Sequence, residues 1–301
     1  MTKISYHDPV LLQPSVTALI TDPKGVYVDA TFGGGGHSQE ILNQLAPEGR
    51  LFAFDQDQDA QFNALKDERF TLIEANFKDI KRYLKLYGVK QLHGVLADFG
   101  VSSHQFDADQ RGFSIRFDGP LDMRMDQKGA IDASLVVNQY SLEKLTTLLK
   151  NYGEVKGAFR IAEQIITSRE EKPIVTTYAL IEVLKPLIPE RFLNKTLAQV
   201  FQAIRIEVNQ ELEVIKTFLV QSTELLVKQG RLVCIAYHSL EDRLVKRYIR
   251  EGLFEGQAQQ DFFGNRNYPL KKLGNLIVPD QNEIKRNSRA RSAKLRIAQK
   301  L

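Results

Sequence analysis

Asp29, four glycines from Gly33 to Gly36, Ser38 and Asp55 are the residues of this chain best suited by type and spacing to hold a ligand. Asp29 lies in a short apolar run, Val26 to Ala30. The glycines interrupt that run, and His37-Ser38-Gln39-Glu40 leads into the apolar pair Ile41-Leu42. Strand, glycine turn and helix in that order form the first half of a nucleotide-binding α/β unit. Glycines let the backbone turn sharply and approach a ligand where a Cβ would clash. A second run, Arg50 to Asp55, ends in an acid placed to accept from both hydroxyls of a ribose. The chemistry implied is capture of an adenosine-containing cofactor. A dinucleotide site follows G-x-G-x-x-G, and here Ser38 stands where the third glycine belongs. Asp29, Gly33 and Gly35 instead match the D/E-x-x-x-G-x-G pattern of S-adenosylmethionine (SAM) sites, which cradle no pyrophosphate.

The elements that must position these residues follow from the apolar pattern. Thr71–Phe77 and Gly94–Gly100 read as further strands, with helical stretches at Asp59–Lys66 and Ile80–Leu86. Alternating β and α elements predict a parallel sheet covered by helices on both faces. From Ser103 to about Lys195 only helical patterns appear, at Leu142–Leu149, Ala158–Thr167 and Thr177–Leu184. Leu197, Val200, Phe201, Ile204, Val208, Leu212, Ile215 and Leu219 then recur at three- and four-residue steps, as one long amphipathic helix or two in series. The strand pattern returns at Arg231–Tyr237. The expected fold is therefore α/β, a doubly wound Rossmann-like sheet built from residues 1–105 and 196–301. A helical insertion, residues 106–195, interrupts it and is large enough to form a small domain of its own.

Of the 301 residues 43% are hydrophobic and 26% charged, which places the chain in the ordinary globular class. Its longest apolar stretches are strand-sized, so no membrane contact is expected. The first residues lack the apolar core of a signal peptide. Cys234, the one cysteine, lies in an apolar run and can form no internal disulfide. The expected location is the cytoplasm. The five histidines (His7, His37, His93, His104, His238) show no paired ligand spacing, so no metal is expected. Charge is uneven: residues 231–301 hold 15 Lys/Arg against 7 Asp/Glu, although the net charge of the chain is only +4. Such a concentration of cations suits a polyanion partner, because each phosphate neutralised releases counterions. Residues 285–300 carry seven cations and no acid, with Leu295 and Ile297 alternating with polar or small residues. That pattern predicts an edge strand with a basic approach loop.

Seven blocks then stand in a telling order. They are Thr31-Phe-Gly-Gly-Gly-Gly-His-Ser38, Asp98-Phe-Gly-Val-Ser-Ser103, Arg111-Gly-Phe-Ser114, Gly119-Pro-Leu-Asp-Met-Arg-Met-Asp126, Phe201-Gln-Ala-Ile-Arg-Ile-Glu-Val-Asn209, His238-Ser-Leu-Glu-Asp-Arg243 and Asn287-Ser-Arg-Ala-Arg-Ser-Ala-Lys-Leu-Arg296. From His7 to Arg296 the chain resembles the bacterial 16S ribosomal RNA cytosine-N4 methyltransferases of the MraW type. The resemblance implies a class I SAM-dependent methyltransferase core with a helical insert used for substrate recognition. It also implies SAM as cofactor and, as substrate, the N4 atom of a decoding-centre cytidine in 16S rRNA of the small (30S) ribosomal subunit. A homodimer is left open. Carried over by position, the SAM contacts fall on Gly35, Gly36, His37, Asp55, Phe77, Asp98 and Gln105. Amides at the glycine turn and helix start suit the methionine carboxylate, and Asp55 suits the ribose hydroxyls. Phe77 can lie against adenine, and Asp98 ends the fourth strand, where doubly wound folds place ligands. Two departures stand out. Ala-Asp-Phe-Gly replaces the family's more usual Leu-Asp-Leu-Gly, and His104 replaces a proline, a change expected to loosen the loop that presents Gln105.

The amine to be methylated is a poor nucleophile, because its lone pair is delocalised into the ring. Catalysis then needs alignment and acceptors that stabilise the positive charge developing on nitrogen. The Pro-Pro-Tyr type loop of other amino methyltransferases is missing, and Gly100-Val-Ser-Ser stands in its place. The candidate acceptors are Asp122, Asp126, His238 and Ser239, with Asp98 in a second role, while Arg124 can hold a phosphate or a base carbonyl. Asp122, Arg124 and Asp126 equally suit a structural ion-pair cluster, Ser239 with Asp242 a helix cap, and His238 a satisfied strand end. The target base must leave its stack to be methylated. The Arg243–Arg250 face, Arg289 and Arg291 in the basic tail, and the insert are the expected RNA contacts, although the former also reads as a solvated helix face. Other classes compatible with the residues are a SAM enzyme acting on a small molecule and a non-catalytic RNA-binding assembly factor.

Overall fold

The computed structural model describes residues 9–101, 106, 108–256 and 268–301. Along the chain run α1 (Leu12–Leu19), β1 (Val26–Asp29), α2 (Gly36–Gln44), β2 (Arg50–Asp55), β3 (Phe70–Glu74), α3 (Ile80–Leu86) and β4 (Leu92–Asp98). Helices α4 (Ala133–Gln139), α5 (Leu142–Asn151), α6 (Ala158–Glu171), α7 (Thr177–Leu184) and α8 (Leu193–Asn209) follow. The chain ends with α9 (Glu211–Leu225), β5 (Leu226–Ala236), α10 (Ser239–Glu251), β6 (Leu270–Ile277), α11 (Gln281–Arg286) and β7 (Lys294–Lys300).

The seven strands form one sheet in the order β3-β2-β1-β4-β5-β7-β6. The first five pair in parallel, and β7 runs antiparallel to both β5 and β6. The order reverses between β1 and β4, which opens a crevice at the carboxyl ends of those strands. Asp29, Asp55 and Asp98 are the last residues of β1, β2 and β4, so the sheet itself gathers three acids along that edge. Both faces are dry, as parallel sheets require. On one, Val16 and Leu19 of α1 and Ile41 and Leu42 of α2 pack against Tyr27, Leu51, Leu96 and Val233. On the other, Ile80 and Leu84 of α3, Phe218 and Leu219 of α9, and Val245 and Ile249 of α10 cover Val28, Phe52, Val95 and Leu232.

The chain divides into two compact units, the residues up to Gly100 with Leu212–Leu301, and Val101–Glu211. The second boundary falls later than the expected 195/196. Helix α8 buries Leu197, Val200, Phe201 and Ile204 in the core of the second unit, together with Val136, Leu148 and Ile161. The long apolar periodicity is two helices, broken where Gln210 takes a left-handed conformation at φ 50°. Other expectations also shift. Asp59–Lys66 is a 3-10 turn over Gln58–Asn63. The basic strand β7 is not an edge, because β6 pairs with its outer side. Leu295 and Ala298 are buried on opposite faces of the sheet, in its two helix-covered cores. Strand β6 escaped the sequence pattern because its lysines and Gly274 (φ 61°) mask the alternation, and lysines are how exposed edges resist pairing with other chains. Among the described residues, no helix is long and apolar enough to cross a membrane.

Candidate active site

The glycine turn is shaped from both sides. Gly35 caps α2 at φ 78°, and a Cβ there would lie 2.9 Å from the Phe32 ring. A Cβ on Gly36 would overlap the Pro9 ring, so this glycine makes room for the N-terminal segment. No side chain caps α2. The amides of Gly36, His37 and Ser38 thus have no intrahelical acceptor and present the positive end of the helix dipole. Asp29 is fully buried; its Oδ1 accepts from the Thr31 amide (3.1 Å) and its Oδ2 from the Ser38 hydroxyl (2.7 Å). The serine standing in place of a third glycine therefore ties α2 to the end of β1. Burial pushes the Asp29 carboxyl up, against the pull of His37 and the Ser38 bond.

The His37 ring has a job of its own. Its Nε2 lies 3.1 Å from the Val10 carbonyl oxygen, a contact in which Nε2 must be the donor. The Leu11 amide donates to Glu283 at 2.6 Å, so two groups pin the segment that covers Gly36. What His37 offers a ligand is its main-chain amide. Asp55 accepts from the Gly33 amide (2.8 Å) through Oδ2 and from the Asp57 amide (2.9 Å) through Oδ1. Each oxygen keeps a further lone pair for a hydroxyl. Burial pushes Asp55 up to about 6. Phe77 starts a 3-10 turn just past β3, its ring edge-on to Phe218 at 5.1 Å and tilted against Phe99 at 6.1 Å.

Asp98 is the most exacting position. Its amide donates to the Thr31 hydroxyl oxygen at 2.7 Å, and its carboxylate accepts from the Tyr237 hydroxyl, while Oδ1 is buried with no hydrogen-bond partner. Burial pushes this carboxyl up to about 6, with Asp29 and Glu241 adding to the effect. Tyr237 is driven well above its usual value by burial and by the Asp98 charge. A buried acceptor without a donor costs about 1–3 kcal/mol, and a ligand donor would relieve it. Sequence reasoning missed Tyr237. Its signal was positional, since it lies two residues beyond Ile235, the partner of Asp98 across β4 and β5.

His238 and Ser239 sit at the start of α10. The cap differs from the expected Ser239–Asp242 pair, because His238 is the cap residue and Ser239 the first helical one. Glu241 accepts from the Tyr237 and His238 amides (2.8 and 3.3 Å), and the His238 Nε2 lies 3.1 Å from its other oxygen. Asp242 turns instead to Arg296 of β7 (2.6 and 3.1 Å) and to Lys294 (3.6 Å). Burial works against its ionisation, but these cations hold it below the usual carboxylate range. Arg243 is exposed on α10. Arg289 is half-buried and Arg291 exposed in the turn Ser288–Ser292, which Asn287 caps. Gln105, His104 and His7 lie outside the described residues.

Asp122, Arg124 and Asp126 belong to the second unit. The Arg124 guanidinium grips Asp122 through two nitrogens (3.0 and 2.6 Å) and donates a third bond to the Gly129 carbonyl (2.8 Å). Burial opposes ionisation of Asp122, and Arg124 overcomes it. Asp126 is exposed and accepts from the Lys128 amide at 2.9 Å. Asn209 bonds the Met125 amide and the Met123 carbonyl, both at 2.8 Å, and buried Arg111 bonds the Arg124 carbonyl at 3.0 Å. Three separate sequence blocks thus hold one loop, and of the ion-pair alternative only the Asp122–Arg124 pair forms, since Asp126 turns to the Lys128 amide.

The first unit therefore combines amide donors at a helix start, a diol acceptor, an aromatic face and a buried orphan acceptor. That set suits a molecule carrying a carboxylate, a ribose, a purine and an amine, and the residues present fit SAM. A family model described as the MraW methylase family matches residues 4–301. The chain is 58% identical over 300 residues to a ribosomal RNA small subunit methyltransferase H of Flavobacterium johnsoniae, covering 100% of this chain and 99% of that one. The protein of the same name from Christiangramia forsetii is 56% identical over 301 residues, covering 100% of both. That from Bacteroides fragilis is 50% identical over 297 residues, covering 98% of each.

Proposed function

The chain belongs to the MraW methylase family, and from that premise we propose that it transfers the methyl group of SAM to the N4 amine of a decoding-centre cytidine in 16S rRNA. The acceptor is presented by the small ribosomal subunit in the cytoplasm, and the helical unit takes part in recognising it. The observation that carries the reading is the carboxyl edge of the sheet, where the uncapped start of α2, Asp55 and the unpartnered Oδ1 of Asp98 are gathered by β1, β2 and β4.

When bound, SAM supplies a methyl group on a positively charged sulfur, a good electrophile. The amides of Gly36, His37 and Ser38 would hold its carboxylate, Asp55 its ribose hydroxyls and Phe77 its adenine, with Asp98 Oδ1 accepting from a donor of the cofactor. Ionised Asp98, held by Tyr237, also stabilises positive charge developing on the acceptor amine in a site shielded from water. His238, at the end of β5, is the second candidate acceptor for an amine hydrogen, and its orientation rests on Glu241. Asp122 and Arg124 act together, as a fixed pair shaping the loop from Met123 to Gly129.

Nucleoside mass spectrometry of 16S rRNA tests the site of modification. Cells lacking the protein should lose N4-methylated cytidine at one decoding-centre position and regain it on complementation. Unchanged methylation at every cytidine of 16S rRNA would overturn the proposal.

A further inference from the structure

At the far end of the sheet, two strands beyond β5, α10, β6 and β7 enclose a cavity of about 520 Å³. This is within the size range of small-ligand pockets. Its floor is aliphatic, with Ile249 from α10, Leu270, Leu273 and Leu276 from β6, and Ile297 from β7. Its rim is cationic, with Lys246, Arg250, Lys271, Lys272 and Arg296, and among the described residues no acid lines it. Arg296 is already matched by Asp242, and Arg250 touches Glu251 at 2.8 Å. Lys246, Lys271 and Lys272 are exposed and carry no ion pair among the described residues. Among the described residues Tyr268 adds the one aromatic ring of the lining.

An apolar floor alone would accept any apolar guest, so the rim decides the class. Three lysines without an ion pair among the described residues, around a pocket of nucleotide size, call for an anion with a flat, poorly hydrated body. An unpaired nucleotide has that form, because its phosphates meet the lysines while its base leaves water against Tyr268 and the Arg250 guanidinium. We propose that this groove, lined by neither the glycine turn nor Asp98, is a second RNA-docking site that takes an unpaired segment of the rRNA. The inference rests on the reading of the acceptor as rRNA. It assigns the groove to holding the substrate, with no part in the chemistry. The lysines of β6 then both protect the edge strand and bind the partner.

The test is fluorescence anisotropy with labelled single-stranded oligouridine across a salt series, on the wild type, on Lys271→Ala with Lys272→Ala, and on Tyr268→Ala. Removing two phosphate contacts should weaken binding roughly tenfold at low salt and cut the log–log salt slope by about 1.4. Tyr268→Ala should weaken it roughly five- to a hundredfold with the slope retained. SAM affinity should be unchanged in both, which also shows that the variants fold. Unaltered oligouridine affinity and slope would overturn the inference. So would variants that bind oligouridine normally yet lose affinity for whole small subunits, because the groove would then take a protein. A wild type that shows the groove-dependent slope but methylates no rRNA would support the docking site and overturn the reading of the reaction.

Discussion

Titrating the free protein from about pH 8 to about pH 5 protonates Asp55 and Asp98, which burial pushes up to about 6. Ribose hydroxyls and an amine are donors, so both carboxylates must be ionised for SAM to bind well. With both groups near 6, each is ionised in about 9% of molecules at pH 5, and both together in about 1%. Because apparent affinity scales with the competent fraction, SAM binding should weaken about 100-fold if both ionised groups are needed and about 10-fold if only one particular group is needed. The stability effect has the opposite sign. A carboxyl whose folded pKa exceeds its unfolded value binds more protons when folded, so its contribution favours the fold at low pH and is lost as pH rises through about 6. Acid should therefore empty the site without these two groups weakening the fold. Calorimetric titration with SAM at several pH values measures the effect, and Asp98→Asn should remove about half of the logarithmic slope. SAM affinity that changes less than about twofold over this range, or an Asp98→Asn protein keeping the full slope, would refute the argument.

Gly36→Ala should lower stability by about 1–3 kcal/mol, since the added methyl must displace Pro9; thermal unfolding reads the loss, and an unshifted midpoint would show that Pro9 yields freely. Asn209→Ala strips partners from the Met125 amide and the Met123 carbonyl. Each group left unpaired should cost about 1–3 kcal/mol in urea unfolding. Arg289→Ala with Arg291→Ala should weaken RNA binding and reduce the salt slope by about 1.4 if both meet phosphates. An unchanged slope would place the RNA path elsewhere.

The parallel half of the fold was legible because β1 to β4 are β-rich runs ending in acids and its helices keep their apolar spacing; Ile80–Leu86 matches residue for residue, as does Thr177–Leu184 in the helical unit. The antiparallel end was less so. Strand β7 carries alternation that fits an edge or an interior position equally well, and only the pairing of β6 decides it. The domain boundary was missed because α8 and α9 share one apolar period, and the break is a backbone conformation at Gln210 that its side chain does not announce. In the site, Gly33, Gly35 and Asp55 stood out by spacing, and Gly36 by the resemblance. Tyr237, by contrast, depends on which strand lies beside β4, and the Pro9 packing on Gly36 depends on tertiary approach. Asp242 looked like a cap by sequence distance, yet its partner is Arg296, brought to it by β7.

The measurement that tests the central claim most directly is transfer of a labelled methyl group from SAM to small ribosomal subunits from cells lacking this protein, with Asp98→Ala alongside. The account predicts label in a single N4-methylated cytidine of 16S rRNA, lost in the variant together with SAM affinity. Wild-type protein that binds SAM but labels neither subunits nor naked 16S rRNA would contradict it, as would an Asp98→Ala protein with undiminished transfer.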